Sequence, residues 1–256
     1  MGNLIRMDLY RMFRSRSFYV CLTLVFVLAL INMPLAKLLF RLAGSISPEI
    51  SEAFAAEADL SGILKDPFPL ISKMLVFISL CFFFYADVEN GYIKNIAGQM
   101  PMKGFTILSK FQASVVHNLV FASAGIIGNL IGTVFVQRIV VDSGVPDSIR
   151  MLALRLLLLQ SLCAILLLVV NTFRSKSLGM VLAVLFGMGL TKLIYLGINT
   201  GLEPIFGEGT DITTYMPDCV MAEDPLDTVK ALLVALAAGG VFLPLAIRIF
   251  DRKDVK

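Results

Sequence analysis

Six long apolar stretches, with basic residues gathered on alternate sides of them, restrict this chain to a helical, multi-pass membrane architecture. A bilayer core about 30 Å thick needs roughly 20 apolar residues of helix to cross it. Stretches of that kind run over 18–39, 67–85, 111–136, 149–173, 178–198 and 231–250. A hydrophobic fraction of 57% and a mean hydropathy of +0.84 agree, because soluble domains rarely rise so far above average composition. The expected fold is therefore an all-α integral membrane protein, with an interfacial helix over 1–17 and a six-helix transmembrane domain over 18–256.

Lys and Arg set the orientation, since cytoplasmic segments carry their excess. With both termini cytoplasmic, the inner segments hold Arg6, Arg11, Arg14, Arg16, Lys94, Lys103, Lys110, Arg174, Lys176, Arg248, Arg252, Lys253 and Lys256. The outer segments hold only Lys37, Arg41, Lys65, Arg138, Arg150 and Lys230, and the last outer loop, 199–228, has seven acids and no basic residue. The net charge of +3 is mostly this inner-face bias and gives no reason to expect a nucleic-acid partner. The first apolar stretch is too long for a signal-peptide core and lacks a small-residue cleavage site.

Residues 1–17 are amphipathic. Ile5, Leu9, Met12 and Phe13 share one helical face, and Arg6, Tyr10 and Arg14 line the opposite one. Such a helix lies along the inner leaflet with its arginines toward anionic headgroups, which makes the bilayer itself a partner; the plainer reading is a basic flank that only orients the first span. In the inner loop 86–110, Asn90-Gly91 is a turn signal. A short helix over 92–97 follows, closed by Gly98 and prevented from continuing by Pro101. That grammar suits docking of a soluble partner; the alternative is a solvated connector.

Three cations fall inside the apolar stretches: Lys73, Arg155 and Lys192. Charge at that depth is costly. They form either an outer-leaflet cationic cluster for an anionic group or three unrelated side chains that snorkel to water. Gly128 and Gly132 make a GxxxG pair suited to close helix packing. Cys21, Cys81 and Cys163 lie within stretches, and only Cys219 is in an outer loop, so no disulfide framework is expected.

Several chemistries are absent. There is no phosphate-binding G-x-x-x-x-G-K-[ST] loop, no G-x-S-x-G and no H-E-x-x-H. The one histidine, His117, has no clustered ligand for a metal, and no Asp or Glu lies deep in any stretch. No catalytic residue is expected, and the chain does not read as an enzyme.

Taken together, the basic amphipathic start, six stretches and the loop after the second resemble the permease subunits of ABC-2 type ATP-binding-cassette exporters (type V exporter-like). The closest likeness is to small Gram-positive members linked to peptide-antibiotic (lantibiotic) export or immunity. The specific piece is D-x-x-N-G-x-x-K, here Asp87, Asn90, Gly91 and Lys94, followed by Ser109-Lys110 opening the third stretch.

The resemblance implies a bacterial plasma-membrane permease moving a hydrophobic or amphipathic cargo, with the 1–17 segment as its elbow helix. It binds no cofactor itself; ATP and Mg belong to a separate cytoplasmic ATPase, and a second permease copy or a related permease completes the pathway. Asp87, Glu89, Asn90, Gly91, Tyr92, Ile93, Lys94, Asn95 and Lys103 would couple to that ATPase, with Arg174 and Lys176 near a second contact. Lys103 stands where the family commonly has Arg. The rival readings are a non-transporting membrane scaffold or sensor, and a secondary transporter.

Overall fold

The structure is a computed structural model that describes residues 2–44, 58–69, 71–89, 91, 104–206, 211–224 and 226–252. Helices α1 (Gly2–Arg14) and α2 (Arg16–Gly44) are separated only by Ser15. A two-residue strand β1 (Ala58–Asp59) leads into α3 (Leu60–Lys65), then α4 (Ser72–Glu89) and α5 (Gly104–Val134). Strand β2 (Ile139–Val140) pairs parallel with β1. After it come α6 (Val145–Phe173), α7 (Lys176–Met188), α8 (Thr191–Phe206), a 3-10 turn (Ile212–Tyr215), α9 (Pro217–Met221) and α10 (Thr228–Arg252).

Four helices, α2, α5, α6 and α10, are long and apolar enough to cross a membrane, and a fifth crossing arises if the bent pair α7–α8 is counted as one. This is a multi-pass helical membrane protein. The second expected stretch, 67–85, becomes helical only from Ser72, since Pro67 and Pro69 hold the preceding turn open. Its 18 residues reach about 27 Å and carry Lys73, Asp87 and Glu89. This helix is packed into the core: Val76, Phe77, Leu80, Cys81 and Phe84 are fully buried.

The fifth stretch, 178–198, is not one continuous helix. It breaks after Met188 and turns by 92°. Gly189 takes a left-handed conformation (φ 68°), and its N–H caps the Leu185 and Phe186 carbonyls. Gly-Leu-Thr is a helix stop followed by a helix start, a local signal that a hydropathy window averages away.

Small residues bring the helices close. A methyl group on Gly128 would lie 2.7 Å from the Phe26 carbonyl oxygen and one on Gly132 would overlap that of Leu30, so the GxxxG pair seats α2 against α5 within the same chain. Gly179 and Gly187 do the same for α7 against Cys81 and the Met74 backbone of α4.

Contacts sort the connections into two faces. On one, α1 meets the end of α4 and the start of α5, Lys176 pairs with Glu89 at 3.6 Å, and the Gly104 N–H donates to Asp251 at 2.6 Å. On the other, the Lys37 ammonium donates to the Val136 carbonyl at 3.0 Å, β1 pairs with β2, and the Ser61 N–H donates to Asp142.

Candidate functional site

The face carrying α1 is organised around one carboxylate. Helix α4 extends to Glu89, so Asp87 lies inside its last turn and is buried. One oxygen accepts from the Arg11 guanidinium of α1 at 3.1 Å, and the other pairs with the Lys110 ammonium of α5 at 3.1 Å. Lys110, 3% exposed, also donates to the Phe84 carbonyl at 2.7 Å. Buried charge is tolerated where such partners are in place. Next to them Asp8 accepts from the Ser109 hydroxyl at 2.5 Å, with Arg11 4.0 Å away. Burial pushes the Asp8 carboxyl above its usual range, against the opposing pull of the Ser109 hydrogen bond and Lys110. Three helices distant in sequence thus meet at two acids and two bases.

Of the coupling residues expected from sequence, Asp87 and Glu89 end α4, and Gly91 sits just beyond with φ 62°, the left-handed backbone that a turn there requires. Asn90, Tyr92, Ile93, Lys94, Asn95 and Lys103 lie outside the described residues. Arg174 closes α6 in a left-handed conformation (φ 48°). Lys176 reaches the end of α4, pairing with Glu89 and lying 4.9 Å from the Phe82 ring centroid and 6.0 Å from that of Tyr85. The turn between α6 and α7 is therefore tied to the end of α4. Asp8 and Arg11 were missed by sequence reasoning. The available signal was a lone acid, three residues before an arginine, in an otherwise basic segment.

Lys73, Arg155 and Lys192 do not form a triad. Lys73 pairs with Asp66 at 3.5 Å, and Arg155 donates to the Lys65 carbonyl at 2.8 Å. These two line a small pocket of ≈ 10 Å³ with Phe68 and Met221, space for one water at most. Lys192 is exposed on α8 and does not line that pocket. Cys219 is buried on α9, and burial pushes its thiol up to about 11, which leaves it protonated and unreactive near neutrality.

Between the helices runs a chain of polar groups that hydropathy conceals. The His117 Nε2 lies 2.9 Å from the Ser79 hydroxyl of α4, and its Nδ1 lies 3.4 Å from Asn118. Asn118 donates to Gln160 of α6 at 3.0 Å; Gln160 donates to the Ser114 hydroxyl at 2.8 Å and to the Phe111 carbonyl at 3.0 Å. Polar links of this kind bind helices together in lipid. Gln160 also borders two apolar grooves, one of ≈ 420 Å³ against α10, with Gly239 and Gly240 in its wall, and one of ≈ 360 Å³ beside Asn118 and Leu119. Ser79→Ala should lower unfolding stability in detergent by about 0.6 kcal/mol, the average for such bonds in membranes, and by no more than about 1.7 kcal/mol. An unchanged unfolding midpoint would assign the His117 position to packing alone.

Among the described residues no group of three or more His, Cys, Asp or Glu is placed to hold a metal. The chain matches no protein-family model and no curated protein.

Proposed function

We propose that this chain is the membrane-spanning permease subunit of an ATP-binding-cassette exporter in a bacterial plasma membrane. It crosses six times with both ends cytoplasmic, and a separate cytoplasmic ATPase drives it. The observation that carries the reading is the Asp87 node. The loop 90–103 leaves α4 immediately after Asp87 and Glu89 and returns at Gly104, and both ends are tied to other helices: Asp87 to Arg11 and Lys110, Glu89 to Lys176, Gly104 to Asp251. A push on that loop by a closing ATPase moves α1, α4, α5, α7 and α10 together. Nucleotide binding shifts such a two-state equilibrium only through its different affinity for the two states. The cargo is hydrophobic or amphipathic, in keeping with apolar grooves that offer the Gln160 and Asn118 amides and no charge.

An ion-driven carrier is the second reading, favoured by Asp218. It is buried, accepts from the Thr191 hydroxyl beside the break in the fifth stretch, and faces Tyr195 as well. One experiment separates the two. Co-expressed with its ATPase and reconstituted, the chain should move cargo only with ATP, and Tyr92→Asp/Ile93→Asp should abolish movement while membrane insertion persists. Transport that survives ATP depletion but stops with an ionophore overturns the exporter reading in favour of the carrier.

A further inference from the structure

Two amides stand at the middle of the membrane layer. Gln160 lies about 20 Å from either end of the 29-residue helix α6, and Asn118 is equally central in the 31-residue helix α5. Gly239 and Gly240 mark the middle of the 25-residue helix α10. In a hydrocarbon layer about 30 Å thick, that level is roughly 15 Å from any headgroup. The grooves of ≈ 420 Å³ and ≈ 360 Å³ meet there, since Leu157 and Gln160 line both. A methyl group on Gly239 or Gly240 would meet nothing within 4 Å. These glycines seat no helix, unlike Gly128 and Gly132, and they leave the larger groove open.

The hydrogen bonds around Gln160 run in one direction. The Phe111 carbonyl can only accept, so Gln160 Nε2 faces it at 3.0 Å and spends its other hydrogen on the Ser114 hydroxyl at 2.8 Å. That turns Gln160 Oε1 toward Asn118, whose Nδ2 donates to it at 3.0 Å and to the Cys163 Sγ at 3.4 Å. The Ser161 hydroxyl, also in the wall of the larger groove, donates to the Leu158 carbonyl at 2.7 Å. Among the described residues, every side-chain donor lining the two grooves is thus spent inside the protein, while Gln160 Oε1 keeps a lone pair.

This pattern selects a class of molecule. Among the described residues no ionised side chain lines either groove, and charge at this depth is costly. A hydroxyl left among acyl chains has nothing to donate to. Gln160 Oε1 removes that cost, whereas a molecule that can only accept gains nothing from it. We propose that the groove between α6 and α10 binds an uncharged amphiphile headed by a hydroxyl, which donates to Gln160 while the apolar body lies along Gly239 and Gly240. A volume of ≈ 420 Å³ is within the range of small-molecule sites. The inference rests on the exporter reading only in making this molecule the class of cargo.

The test uses the full chain in phosphatidylcholine vesicles, without ATPase or nucleotide. The probe is octanol carrying a photoreactive diazirine on its third carbon, compared with its methyl ether, which cannot donate. Mass spectrometry locates the labelled residues, and labelling in the groove is divided by that at Leu24 and Val27, exposed on α2, to correct for partitioning. At Leu236, Gly239, Gly240 and Leu243 the alcohol should exceed the ether about threefold, the factor one hydrogen bond gives in lipid. Gln160→Met keeps the length and loses the acceptor, and should bring the alcohol down to the ether. Gly239→Leu, outside the polar chain, should reduce groove labelling by both probes with the unfolding midpoint unchanged. Equal labelling by alcohol and ether in the unsubstituted chain overturns the proposal, as does a preference that survives Gln160→Met or a groove that labels as before in Gly239→Leu. Labelling no denser in the groove than on α2 overturns it too, and assigns the groove to acyl chains or a second copy. Each of these results leaves the exporter reading standing, because no transport is measured; ATP-independent transport removes that reading and leaves the site.

Discussion

Asp87→Ala should destabilise the protein by about 3–5 kcal/mol, the range for breaking a buried ion pair from one side. The loss falls mainly on Lys110, which is left with the Phe84 carbonyl as its acceptor among the described residues and with little access to water. Lys110→Met should cost less, because Asp87 keeps Arg11. The double variant Asp87→Ala/Lys110→Met should recover much of the single loss, since the uncompensated cation goes with its partner. Unfolding midpoints of the full chain in detergent measure all three, and protease sensitivity of α1 reports whether it has left the body. If Asp87→Ala were as stable as the parent, Lys110 would have to reach water or another acceptor, and the node would not hold the three helices together.

The second large effect belongs to Gly132. Even alanine there places its methyl on the Leu30 backbone, which no rotamer change can move aside, so α2 and α5 must separate. A cost of about 1–3 kcal/mol is expected for Gly132→Ala, and failure to accumulate in membranes for Gly132→Leu. Gly239→Ala is the control. A methyl there meets nothing within 4 Å, and the change should stay within about 0.5 kcal/mol. Equal behaviour of the two alanine variants, by unfolding midpoint and by yield, would show that the α2–α5 contact is looser than described.

Much of the architecture could be read directly from residue order. Hydrophobic length locates α2, α5, α6 and α10, because covering a bilayer is a one-dimensional requirement met by a run of side chains. The GxxxG pair announces close packing but not its partner; the small surface fits any helix, and the chain's own α2 fills it. The bend at Gly189 was missed because a window of about twenty residues weighs apolarity and ignores the three-residue stop-and-start inside it. Asp8 was missed for a different reason. On a helical wheel it is a polar residue at the margin of an apolar face, and only the fold brings Ser109 and Lys110 to that margin. The chain from Ser79 through His117, Asn118 and Gln160 shares this origin, since the bonds from Ser79 to His117 and from Asn118 to Gln160 link positions far apart in sequence. Lys73, Arg155 and Lys192 were grouped by depth alone, and depth says nothing about which side of a helix faces which neighbour.

Helix α7 has 13 residues, about 20 Å of rise, and Leu178, Val181 and Met188 along it face outward. A hydrocarbon layer near 30 Å cannot lie flat against so low a wall. Lipid seated against that flank would have to thin to match it, which would draw the protein toward thinner patches of bilayer.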